Sequence, residues 1–177
     1  MKKHEFTERK KEIMPYSEKI RKCIQTQFDK DEWYYTFDEE EGVFRTKIKL
    51  NGRLNRCELF VRIHEDYYVA YSGISINADE QSMPLVAEYL HRANYGLKMG
   101  SFELDHSDGE IRFKVFVDCG DKCDCLPSES IIYRSLEMGG VMFDTYGEGI
   151  LDIIFNNISP IEAIYEAENQ SGEEQLE

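Results

Sequence analysis

No apolar run in this chain approaches the roughly 20 residues that span a bilayer, so no membrane-spanning helix is expected. Cations are scarce: 21 Lys and Arg stand against 35 Asp and Glu, giving a net charge of -14. Nucleic-acid binding rests on cations that neutralise phosphates, so that balance argues against it, and against anionic membrane surfaces too. The cysteine count, 5, is odd, and "MKKHEFTERKKEIMP" has lysines but no apolar stretch behind them, unlike a secretory signal. Reduced thiols and a cytoplasmic location are the expectation, not a disulfide framework. Motifs with a built-in mechanism are missing as well. No phosphate-cradling G-x-x-x-x-G-K-[ST] occurs, no G-x-S-x-G and no H-E-x-x-H, and "GEG" at 147–149 lacks the third glycine of a dinucleotide fingerprint. These absences point away from an enzyme and call for no cofactor.

What is present is periodicity. "SEKIRKCIQTQFDK" places Ile20, Cys23, Ile24 and Phe28 on one helical face behind Ser17 as N-cap. The period then shortens. "WYYTFD", "VFRTKIKL", "LNRCELFVRI" and "YYVAYSGISI" are aromatic and β-branched, with Asn51-Gly52 as a hairpin signal. In the third of these, Cys57, Leu59, Val61 and Ile63 alternate with Glu58, Phe60 and Arg62, which predicts a sheet with one dry and one wet face. "SMPLVAEYLHRANYGL" reads as a second helix with Pro84 in its first turn and Gly96 near its end. A hairpin follows, "SFELD" and "EIRFKVFVD" around "HSDG".

The last third reads as helical. Ser128 is placed as a cap, and Ile132, Leu136, Met142, Phe143, Tyr146, Ile150 and Ile154 form the apolar stripe. Gly139-Gly140 interrupts it at a cost of about 1 kcal/mol per glycine, so the helix either kinks there or meets a close neighbour. "SPIE" at 159–162 is a capping box that opens a final short helix. The fold class is therefore α+β: an antiparallel sheet with helices packed on one side, in the order helix, strands, helix, hairpin, long helix. Residues 15–168 make one domain, between a basic arm at 1–14 and an acidic tail at 169–177.

Two stretches carry a resemblance to a known family: "VAEYLHRANYGLKMGSFELDHSDGEIRFKVFVDC" and "LPSESIIYRSLEMGGVMFDTYGEGILDII". From about Trp33 to Glu168 the chain resembles the YbjN family, labelled bacterial sensory transduction regulators, whose fold is similar to that of type III secretion chaperones. The resemblance implies a small bacterial cytosolic domain, able to form a homodimer, that binds proteins or peptides. It brings no catalytic residues with it.

Two groups of side chains stand out as candidate sites. Trp33 and Tyr35, then Tyr67, Tyr68 and Tyr71, crowd the strands with aromatic rings, and alternation must turn some of them away from the core. Such rings are enriched at interfaces. With Gly139 and Gly140 of the last helix they form the candidate partner-binding set. The rival lies at Cys119, Cys123 and Cys125, a thiol or zinc site that would sense metal or redox state. Zinc takes four ligands, so a fourth would have to come from His64, Cys57 or a second subunit, with Cys119 turned out of its strand. Cys23, Cys57 and Cys119 all fall on apolar faces, where a free cysteine serves as a small hydrophobe. The histidines are scattered, with His91 on a wet helix face and His106 in a turn; "DHSDGE" is explained by a Ser-Asp-Gly turn. A pocket of dispersed carboxylates has no ordering motif.

Overall fold

The computed structural model describes residues 16–121 and 124–173. The basic arm, Cys123 and the last residues of the acidic tail lie outside that range. Helix α1 (Glu18–Lys30) is capped as the sequence predicts, with the Ile20 N–H donating to Ser17 Oγ at 3.3 Å. Strands β1 (Thr36–Asp38), β2 (Val43–Lys49), β3 (Arg56–Ile63) and β4 (Tyr67–Gly73) follow, then α2 (Met83–Asn94). Strands β5 (Ser101–Leu104) and β6 (Ile111–Asp118) form the second hairpin. Helices α3 (Glu129–Asn156) and α4 (Pro160–Glu173) complete the chain. The six strands form one antiparallel sheet in the order β1-β2-β3-β4-β6-β5, with all four helices on one side. The α+β class read from the sequence is the class observed.

Period-two alternation divides the strands cleanly. Across the helix-facing side the register aligns Phe37, Phe44, Val61, Ala70 and Val115 in one row, and Thr46, Leu59, Ser72, Phe113 and Phe102 in the next. Nearly all of these side chains are buried, and they meet Ile132, Leu136, Phe143 and Ile150 of α3. Each large apolar side chain so buried favours folding by about 1.5–3 kcal/mol.

Gly139 and Gly140 do not break α3, which runs unbroken through both. They let it lie close to the sheet: a β-carbon on Gly139 would overlap the Ser72 side chain, and one on Gly140 would press Ile48. These two residues are thus a seat for this chain's own sheet, which corrects their reading as a partner surface. Tyr68 is corrected in the same way. It is fully buried, and its hydroxyl bonds Ser135 Oγ at 2.8 Å while Ser135 donates to the Ile132 carbonyl at 2.7 Å.

The loop joining β2 to β3 is pinned from outside. Asp144, Glu148 and Asp152 recur every four residues along one face of α3, so they line up in a row. Asp144 accepts from the Asn51 N–H at 2.7 Å, and the Arg53 guanidinium reaches both Glu148 and, at 2.6 Å, Asp152. The hairpin signal at Asn51-Gly52 is real, but the turn is longer than two residues and is docked on a helix. Asn94 at the end of α2 does similar work. Its side chain bonds both the carbonyl and the N–H of Phe102, at 3.0 and 2.7 Å, tying α2 to β5. At the final helix Ser159 Oγ accepts from the Glu162 N–H at 3.2 Å, as the capping sequence requires. Ser128 differs: its hydroxyl pairs with Ser130, and the first turn of α3 has no side-chain cap.

Gly139→Ala is expected to destabilise the fold by about 1–3 kcal/mol through overpacking, although alanine alone would favour the helix by about 1 kcal/mol. Gly96→Ala, with open space around it, is expected to be neutral or stabilising. Urea midpoints of the two variants check this, and a stabilised Gly139→Ala would contradict the close approach.

Candidate binding face of the sheet

The side of the sheet away from the helices carries a different set of residues. One row reads Arg45, Phe60, Tyr71, Lys114; the next reads Val43, Arg62, Val69, Phe116; a third reads Lys47, Glu58, Gly73, Arg112, Glu103. Phe116 ends the second row, on the part of β6 that extends past β5, and is 57% exposed. Tyr67 joins it, with ring centroids 5.2 Å apart, and His64 stacks on the other side of Tyr67 at 4.2 Å. Burial and the neighbouring Arg62 both hold the His64 imidazole below its ordinary pKa, so the neutral ring is favoured there.

Two more rings on this face are covered by guanidinium groups. Arg45 lies 5.3 Å over Phe60, and Arg112 lies 4.7 Å over Tyr71. Such contacts position an arginine and leave its N–H groups free to donate. Between these pairs is a shallow depression of about 320 Å³ bordered by Val43, Arg45, Phe60, Arg62, Tyr71 and Arg112. Carboxylates already sit at its edges. Glu41 accepts from Arg45 at 2.9 Å and lies 4.0 Å from Arg62; Glu103 takes Arg112 at 2.8 Å and also Lys114. Burial alone would raise the Glu103 carboxyl, but its bonds from Lys114 and Arg112 outweigh that and hold it below the usual range.

The aromatic set predicted from the sequence is therefore divided. Tyr67 and Tyr71 point to this face, while Tyr68 points into the core. Trp33 and Tyr35 turn towards α1, their rings 5.4 and 5.1 Å from Phe28. They border an adjoining groove of about 720 Å³ at the β1–β2 edge, which shares Arg45 and Phe60 with the depression. Tyr34, 96% exposed, stands beside it. Phe60 and Phe116 were missed as candidates, although each alternates with core residues in a way that puts it on the wet side.

Of the described loop cysteines, Cys119 and Cys125 are backbone neighbours, the Cys125 N–H donating to the Cys119 carbonyl at 3.1 Å. Cys119 and Cys57 are buried, Cys23 is half-buried and Cys125 is exposed. Cys119 points back towards the Val117 carbonyl, 3.8 Å away. Among the described residues no group of three or more His, Cys, Asp or Glu is arranged to hold a metal ion, and Cys123 falls outside them. Burial pushes the Cys57 thiol up to about 12, with Asp144 adding to the effect. Thiolate is the reactive form, so at pH 8 a thiol reagent is expected to modify Cys125 rapidly and Cys57 and Cys119 only as the protein unfolds. Peptide mass mapping over a time course checks this; rapid modification of Cys119 would show that the cysteine loop opens.

Searches against protein-family models and against curated proteins return no match to this chain.

Proposed function

We propose that this chain is a non-enzymatic protein- or peptide-binding module, of regulatory or chaperone-like type, whose interface is the sheet face opposite the helices. The observation that carries the reading is Phe116, more than half exposed where β6 extends past β5, in contact with Tyr67 and on the same face as two guanidinium-covered rings. Aromatic residues and arginine dominate the energetics of protein interfaces, whereas lone exposed apolar residues need no explanation. Here Phe116, Tyr67 and His64 form one run of ring contacts, and Phe60 and Tyr71 are paired across β3 and β4 on the same face. The resemblance to the YbjN family supports the same reading, including its cytoplasmic setting, and allows a second copy of the chain as one form of partner.

Full burial of a phenylalanine side chain contributes about 1.5–3 kcal/mol, and about 1.4 kcal/mol is tenfold in affinity. The variant Tyr71→Ala/Phe116→Ser should therefore lose a partner more than tenfold while keeping its melting temperature. The test is affinity capture from the source cells with the tagged chain and this variant, followed by mass spectrometry. Proteins held by the parent and released by the variant would support the interface. Partners that survive in this variant but vanish with Phe155→Ser/Tyr165→Ala, on the helix layer, would place the interface on the other side.

A further inference from the structure

We infer that the outer sheet face recognises an acidic segment of its partner, with carboxylates received by Arg45, Arg62 and Arg112 around the central depression. This rests on the reading of that face as an interface and specifies the chemistry of what binds there.

The charge distribution carries the inference. The whole chain holds 21 cationic and 35 acidic side chains, yet on the outer rows the balance is reversed. Strand β2 presents Arg45, Lys47 and Lys49 there, β3 presents Arg56 and Arg62, and β6 presents Arg112 and Lys114; the acids in the same rows are Asp38, Glu58, Glu103 and Asp118. A chain this acidic has concentrated a large share of its cations on the sheet face that no described helix covers. At physiological salt, charges separated by more than about 8 Å are largely screened. The local face, not the net charge, therefore decides what is attracted at contact.

The geometry fits carboxylates in particular. Arginine offers a planar fork that matches a carboxylate with two parallel bonds. Two of the three guanidiniums are already oriented by the rings beneath them, so less freedom is lost when they bind. The face also receives carboxylates from its own chain: Glu41 lies between Arg45 and Arg62, and Glu103 between Arg112 and Lys114. Both acids are at the rim and partly exposed, with Glu110 also bordering the depression. They leave its centre open. The exposed Phe116 and the Tyr71 ring provide apolar contact beside the arginines, so a fitting segment has acidic side chains interspersed with an aromatic or apolar one. A second copy approaching with the same face would set these arginines against one another, which disfavours a symmetric pairing here.

The test is fluorescence anisotropy with the full chain and labelled dodecapeptides of the repeats Asp-Glu-Phe, Asn-Gln-Phe and Lys-Arg-Phe, with oligothymidylate of the same length as competitor. The acidic peptide should bind at least about tenfold tighter than the neutral one, and Arg62→Glu/Arg112→Glu should remove that preference, since two reversed surface pairs amount to about tenfold or more. Arg92→Glu, on α2, should change nothing, and the reversed variant should gain affinity for the basic peptide. If melting shows that the reversed variant unfolds, Arg45→Gln/Arg62→Gln carries the same test. Equal binding of acidic and neutral peptides, both lost in Tyr71→Ala/Phe116→Ser, would overturn the acidic preference while leaving the interface standing. Displacement by oligothymidylate, or a dimer of the free chain dissolved by the reversed variant, would overturn it in favour of nucleic acid or a second copy. No binding of any peptide at millimolar concentration would overturn it too; the capture experiment then decides separately whether the interface falls with it.

Discussion

The close seat of α3 on the sheet at Gly139 and Gly140 is the constraint on which the rest depends. Without side chains at those two positions the helix lies against Ser72 and Ile48, and Ile132, Leu136, Phe143 and Ile150 reach the inner rows of β2, β3, β4 and β6. Protein interiors tolerate little lost volume, so this approach fixes which face of every strand is dry. Tyr68 and Ser135 add a buried hydrogen bond across the same contact. The Arg53 clamp on Glu148 and Asp152, and Asn94 on Phe102, fasten the periphery of the sheet to the helix layer.

One-sided closure has a consequence for function. All four described helices lie on one face, so most residues between the core positions stay at the surface, although Val43 and Val69 are themselves buried. In many antiparallel sheets that surface is simply polar. Here it combines the Tyr67–Phe116 ring pair with arginines stacked on two further rings, and it collects cations in an acidic chain. Each feature has an ordinary explanation singly: a solvated charge, a cross-strand pair, a stray exposed ring. Together, in adjacent rows, they describe a surface suited to burial against another molecule.

Much of this was legible in the sequence because it rests on period. The alternation of Cys57, Leu59, Val61 and Ile63 with Glu58, Phe60 and Arg62 placed both faces of β3 correctly, and the apolar stripe of α3 survived its glycines. What sequence could not resolve was which members of an aromatic run share a face. Tyr67 and Tyr68 are adjacent, so one had to turn inward, and only the pairing of Tyr68 with Val117 and Ile63 decides which. Trp33 and Tyr35 belong to α1's core contact, since the chain before β1 departs from regular pairing. Phe116 was readable from its place between Val115 and Val117, but an aromatic in an apolar strand invites assignment to the core. The row Arg45, Phe60, Tyr71, Lys114 joins four strands through register, which no local pattern contains.

The claim that the outer face is open and the inner face sealed can be measured without any partner. Hydroxyl-radical footprinting of the full chain at low concentration, read by peptide mass spectrometry, reports the solvent access of each ring. Strong modification of Phe116, with Tyr71 and Tyr67 also modified and Tyr68, Tyr89 and Phe113 protected, is the result this account predicts. Protection of Phe116 and Tyr71 alongside the core rings would contradict it, because the face would then already be covered.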